Sequence, residues 1–261
     1  MTQGQPFEPL GPPPEPPPPT EAPPPVGHDR YPFWRYADVA LFAGLLAASA
    51  LISIVLVQLT FFWLHIQVQS KVTEAIIMQA LLYVLAFSGL ALFFHVQYQQ
   101  PFWRSLGWTG FRLPAGVVVI CGIATAFGVG AVSILLRTPN TSNRMTEMMQ
   151  DPRALVPVAI FAITLGPLAE ELGFRGFLQP LLVRSLGPVP GVVAAAIPFG
   201  LLHFQEYGNS WRHALLISLA GTAFGWMRYR TGSTGASTLM HASYNALEFV
   251  GFLAQRESPH T

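Results

Sequence analysis

Charge, cysteine and strand-like alternation are all scarce in this 261-residue chain, and each scarcity removes a class of protein. Only 10% of residues are charged, against about 25% in ordinary globular chains. Meanwhile 51% are hydrophobic and the mean hydropathy is +0.43, so a soluble domain is not expected. A net charge of +1 offers no basic surface for a phosphate backbone, and no nucleic-acid partner is expected. The single cysteine, Cys121, excludes an intramolecular disulfide framework and reads as a small buried hydrophobe within an apolar run. No stretch alternates apolar and polar residues over the length of a strand. Only helices and closed barrels satisfy their backbone in lipid, so the fold class expected is all-α, a polytopic transmembrane helical bundle. The first residues, MTQGQPFEPL, lack both a basic region and an apolar run, and no cleavable leader is expected. Thr2 stands where myristoylation needs glycine, and no cysteine near the C-terminus suits prenylation. Membrane attachment is therefore expected from the spans themselves.

Proline is plentiful, but unevenly so. Residues 1–33 hold 13 of the 24 prolines, a composition that favours polyproline II and cannot build a core; a disordered tail is expected there. Tyr31, Phe33, Trp34 and Tyr36, with Arg35, resemble an interfacial aromatic belt. Seven apolar segments follow, at 38–64, 75–97, 114–136, 154–183, 189–205, 211–229 and 233–254. The first four exceed the ~20 residues that a span needs. The fifth, which contains Pro198, and the sixth are short enough to be tilted, broken or only partly inserted. Residues 34–153 then form an N-terminal set of spans, 154–254 a second set, and 255–261 a C-terminal tail. An integral, multi-pass protein of the plasma (inner) membrane is expected, with lipid as one partner. Seven arginines against six basic residues on alternate sides give only a slight lean towards a cytoplasmic N-terminus. The polar stretch from Arg137 to Arg153 is the longest connection and suits a cap over a site.

Ionisable groups at membrane depth are costly and usually functional, and three of the later segments carry them. In LGPLAEELGFRGFLQPLL, Glu171 and Arg175 lie four apart and pair along one helical face. Glu170 points about 100 degrees away, free to meet another neighbour. Gly173 and Gly176 would admit a second helix closely, and Pro167 frees backbone carbonyls nearby. Phe199 and His203 on the fifth segment, and His241 and Asn245 on the seventh, are again four apart. His65, His95 and His213 read as interfacial. One carboxylate held by an arginine and another left free suits acid–base work on water, and Asn and His donors suit an oxyanion. The same Glu170, His203 and His241 would also suit zinc with an open position for water. No G-x-S-x-G elbow and no H-E-x-x-H motif is present. Glu248, three residues past Asn245, either lines the same cavity or lies at the membrane edge.

EELGFR from Glu170 to Arg175, FGLLH from Phe199 to His203 and HASYN from His241 to Asn245 resemble, in this order, the motifs of the CAAX protease and bacteriocin-processing family. That family of intramembrane proteases includes the type II CAAX prenyl endopeptidases. The lead-in RYRTGSTGASTLMH, from Arg228 to His241, is similar as well. The likeness covers roughly residues 154–250. It implies an endopeptidase acting on a membrane-associated, CAAX-type protein or peptide. By that resemblance Glu170 and His203 activate water, His241 and Asn245 stabilise the oxyanion, and Glu171 and Arg175 organise the site. The metal-free version is preferred because an Asn/His pair is better explained as oxyanion donors; zinc is the cofactor alternative. Two other readings stand beside the protease. One is a non-enzymatic membrane scaffold or immunity protein that uses the polar cluster structurally. The other is an ion-coupled transporter, disfavoured because the polar groups crowd into one half.

Overall fold

A computed structural model describes residue 1 and residues 31–66, 70–139 and 147–257. The proline-rich tail expected over 1–33 therefore lies almost wholly outside the described residues, as does part of the Arg137–Arg153 connection. Among the described residues there is no strand. The chain divides into two units, Met1–Arg30 and Tyr31–Thr261, and all that follows concerns the second.

The seven apolar segments all become helices. The first is α1 (Tyr36–Trp63), and the second is α2 (Lys71–Phe93), which continues as a first π-turn (Phe94–Tyr98). A short α3 (Phe102–Ser105) precedes α4 (Ala115–Leu135). The fourth segment is interrupted: α5 (Leu155–Ile163), α6 (Leu165–Glu171), a second π-turn (Leu172–Leu178) and α7 (Gln179–Leu186). Then come α8 (Pro188–Leu202), α9 (Trp211–Thr231) and α10 (Thr234–Glu257). Among the described residues, four stretches are long and apolar enough to cross a membrane: Tyr36–Trp63, Lys71–Tyr98, Ala115–Leu135 and Leu155–Leu186. Helix α8 runs straight through Pro198 but has only 15 residues, short of a span. Helix α9 is longer than its segment suggested, at 21 residues, and α10 continues through Glu257 into the expected tail.

Local chemistry accounts for the ends. The Asp38 carboxylate accepts the Arg35 N–H at 2.7 Å and caps α1. Pro188 opens α8, where its missing N–H costs nothing. Gly232 closes α9 at φ 67°, and its N–H returns to the Arg228 carbonyl. The start of α2 is tied to the chain before α5, because the Ser70 hydroxyl donates to Asp151 at 2.8 Å. That bond and the Arg153 N–H hold the Asp151 carboxyl below its ordinary range, the Arg153 contact contributing most.

Helix α1 packs on α2, α4 on α10, and α8 on both α7 and α9. The α4–α10 approach is close enough that a Cβ on Gly122 would lie 2.3 Å from the Met240 carbonyl oxygen, the small-residue contact by which membrane helices pack. An aromatic core joins the two halves. Trp34 is 0% exposed and stacks on Phe94 and Phe177, each at 5.4 Å, with Phe42, Leu106 and Leu181 around them. The interfacial belt expected at Tyr31–Tyr36 is thus only half an interface. Tyr31 and Tyr36 are exposed, but Trp34 turns inward because its indole N–H finds the Phe177 carbonyl at 2.9 Å. His65 and His95 are exposed near helix ends as expected, and His213 is half-buried against Tyr207.

Candidate active site

The site is built where the fourth segment departs from a regular helix. The helix breaks at Thr164 (φ −121°, ψ −77°), three residues before the buried Pro167, whose ring and missing N–H disrupt the preceding turn. Just beyond Glu171 the ladder switches to π geometry, and the Gln179 N–H reaches back to the Phe174 carbonyl. Wider i→i+5 turns often occur at functional sites. Arg175, inside this turn, lies directly against Glu171.

Glu171 is 0% exposed and holds three donors. Its Oε1 lies 2.8 Å from Arg175 Nη1 and 3.1 Å from His241 Nδ1, and its Oε2 accepts the Ser237 hydroxyl at 2.7 Å. Arg175, 1% exposed, also donates from Nη2 to the Gly221 carbonyl at 2.9 Å. Its guanidinium sits 4.3 Å from the Phe199 ring centroid, within cation–π range. Gly221 is tightly seated here, since a Cβ would meet Arg175 Nη2 at 2.9 Å and Phe199 Cδ1 at 2.8 Å, so those side chains would have to shift. Of the two expected close-approach glycines in the π-turn, Gly176 abuts the Leu106 carbonyl in a loop rather than a helix, and Gly173 faces open space.

Glu170 has the opposite surroundings. Its side chain is 28% exposed, and its ion-pair contact among the described residues is His241, with Nε2 at 3.8 Å from Oε2; it also acts electrostatically on Tyr83 and Arg175. Because Glu171 is occupied by cationic and hydroxyl donors, His241 Nδ1 carries the hydrogen towards it, and Nε2 turns to Glu170. The imidazole is fixed by stacking on Phe224 at 4.5 Å and 19°.

The two remaining expected residues stand at the margin. His203 closes α8, and its Nδ1 is 2.9 Å from the Phe199 carbonyl, which makes Nδ1 the donor and leaves Nε2 bare. The Phe199 ring touches both imidazoles, at 5.2 Å from His203 and 5.9 Å from His241. No polar contact joins His203 to either carboxylate among the described residues. Asn245 spends one amide hydrogen on the Ala162 carbonyl at 2.8 Å, at the Thr164 break, and keeps the other. Glu248 is exposed. No three His, Cys, Asp or Glu side chains converge to hold a metal ion among the described residues. Glu170, His203 and His241 as placed therefore do not make the three-ligand set that the zinc alternative needs.

Sequence reasoning missed Ser237, Phe224 and Gly221. Ser237 was legible in principle, since it lies one helical turn before His241 on the same face. Phe224 and Gly221 come from another helix, with no local signal.

An all-α, membrane-spanning bundle with an acid–arginine–histidine cluster sealed among its helices defines the class. Residues 152–247 match the family model described as type II CAAX prenyl endopeptidase, Rce1-like, so the resemblance carried by the three motifs holds over the segment that builds the site. The match supports an intramembrane CAAX-type protease in general terms. No curated protein and no solved structure matches the chain.

Proposed function

We propose that this protein hydrolyses a peptide bond of a membrane-associated, CAAX-type substrate in the plasma membrane, by direct attack of water that Glu170 activates. The observation that carries the reading is the contrast between the neighbouring carboxylates. Glu171 is saturated by Arg175, His241 and Ser237, whereas Glu170 is part-exposed and, among the described residues, its ion-pair contact is the looser one to His241. Environments that separate two like groups assign their roles. The saturated one organises and the free one exchanges protons.

In the proposed reaction Glu170 takes a proton from water as the oxygen attacks the scissile carbonyl carbon. The resulting oxyanion accepts hydrogen bonds from the spare amide hydrogen of Asn245 and from Nε2–H of His241 in its imidazolium form, whose Nδ1–H stays on Glu171. His203, with Nδ1 pinned, shares the proton through Nε2, and the departing amine nitrogen receives it as the C–N bond breaks. Water is consumed, and one carboxylate and one amine leave. Arg175 holds Glu171 in place. No step is routed through a metal.

The test is cleavage of prenylated CAAX peptides and a mixed membrane-peptide pool by the protein in lipid nanodiscs, read by mass spectrometry. Glu170→Gln is expected to lower the cleavage rate at least ~10²-fold, the size typical of a lost general base, while the protein stays folded. A zinc chelator is expected to change nothing. Native rates in Glu170→Gln would end the reading, and loss with chelator would assign the water to a metal. The scaffold alternative draws on one observation, the buried Arg175–Glu171–Gly221 network; it requires a native protein that cleaves no peptide in either pool.

A further inference from the structure

The six residues Tyr31–Tyr36 lead into α1, whose first residue is Tyr36. Beyond the cap at Asp38, their polar contacts land on the half of the chain that builds the site. The Tyr31 hydroxyl accepts from Arg228 Nη2 at 2.9 Å, and the Pro32 carbonyl accepts from Arg184. Trp34 Nε1 donates to the Phe177 carbonyl at 2.9 Å, and the Tyr36 hydroxyl donates to Ser185 at 2.8 Å. A strap from the far end of the sequence thus grips α7, α9 and the second π-turn.

Its deepest contact falls on that turn. The Trp34 ring stacks at 25° against both Phe94 and Phe177, which also touch each other at 5.9 Å, and its indole donor is spent on a carbonyl inside Leu172–Leu178. A π-turn is not the conformation a helix keeps unaided, so surrounding contacts must hold it. The same turn begins directly after Glu171 and carries Arg175, and the Glu171–Arg175 pair in turn sets the His241 ring. Trp34 is in contact with none of the reacting groups.

We infer that the Tyr31–Tyr36 strap is a positioning element: Trp34, through Phe177, holds the π-turn in the register that aligns Glu171, Arg175 and His241. The catalytic consequence rests on the protease reading, whereas the coupling between strap and turn does not. Trp34→Phe keeps a ring in the stack and removes the N–H donor. Arg184→Ala loosens the strap at its exposed edge and leaves the aromatic core intact, a second route if Trp34→Phe folds poorly.

The experiment is hydrogen–deuterium exchange of both variants in nanodiscs, alongside kcat and KM for a prenylated CAAX peptide. Exchange across residues 172–179 is expected to rise about tenfold in Trp34→Phe, and by less in Arg184→Ala, with α4 unchanged. A sub-ångström to ångström displacement of catalytic groups costs ~10- to 10²-fold in rate, so kcat is expected to fall in that range at constant KM. Unchanged exchange at 172–179 in both variants overturns the inference. So does loosening spread equally over α4, which marks a general loss of stability. Selective loosening of 172–179 with no cleavage by the native protein supports the coupling and overturns the protease reading alone.

Discussion

A carboxylate withdrawn from water is costly unless donors replace its hydration, and three donors on Glu171 meet that demand. Removing the charge strands Arg175, which is also buried and, among the described residues, has the Gly221 carbonyl as its other hydrogen-bond partner. Glu171→Gln is therefore expected to destabilise the bundle by about 3–5 kcal/mol, the cost of breaking a buried pair, seen as a lowered Tm and poor yield in detergent. Glu170→Gln, at a part-exposed position, is expected to melt near the native temperature. Equal Tm values for the two variants would show that the carboxylates do not differ as their contacts indicate. At this scale much was legible. The four-residue spacing of Glu171 and Arg175 dictated their pairing, and the offset of Glu170 dictated its separation from them. The direction of His203 Nδ1 was not legible, because it depends on the carbonyl at the frayed end of α8.

Helical character followed from long apolar runs without alternation, and every such run became a helix. The departures from regularity, which make the site, were only partly written locally. Pro167 announced a disturbance, yet the break falls at Thr164, and its Ala162 carbonyl is answered by Asn245 from 83 residues away. The π-turn had no sequence signal, because its support comes from Trp34 and from the close seat of Arg175 on α9. That seat gives a prediction at the level of helix packing. Gly221→Val places carbon atoms where Phe199 and Arg175 already stand. Overpacking of this kind costs about 1–3 kcal/mol, and Arg175 must shift. Thermal unfolding and peptide cleavage are both expected to suffer, and a native Tm with native rates would contradict the tight α9 contact.

Across the whole molecule, the N-terminal helices are more than a membrane anchor for a C-terminal site. Helix α4 lies against α10 through Gly122, and the segment before α1 reaches the π-turn. Span counting from hydropathy found the long helices, and four stretches among the described residues are long and apolar enough to cross. Helix α8 is too short, and α9 and α10 are less apolar because they carry the polar residues that face the site. The aromatic belt misled for a related reason, since composition cannot tell an indole at the headgroups from one that caps an internal carbonyl. The central claim is that this assembly lets Glu170 activate water rather than attack the substrate itself. Single-turnover cleavage in 18O-water, with excess protein and mass analysis of the product, tests it most directly. Direct attack predicts one 18O in the new carboxylate from the first turnover, with none in the protein. An unlabelled first product, with 18O appearing in Glu170, would show a covalent glutamyl intermediate and contradict the account.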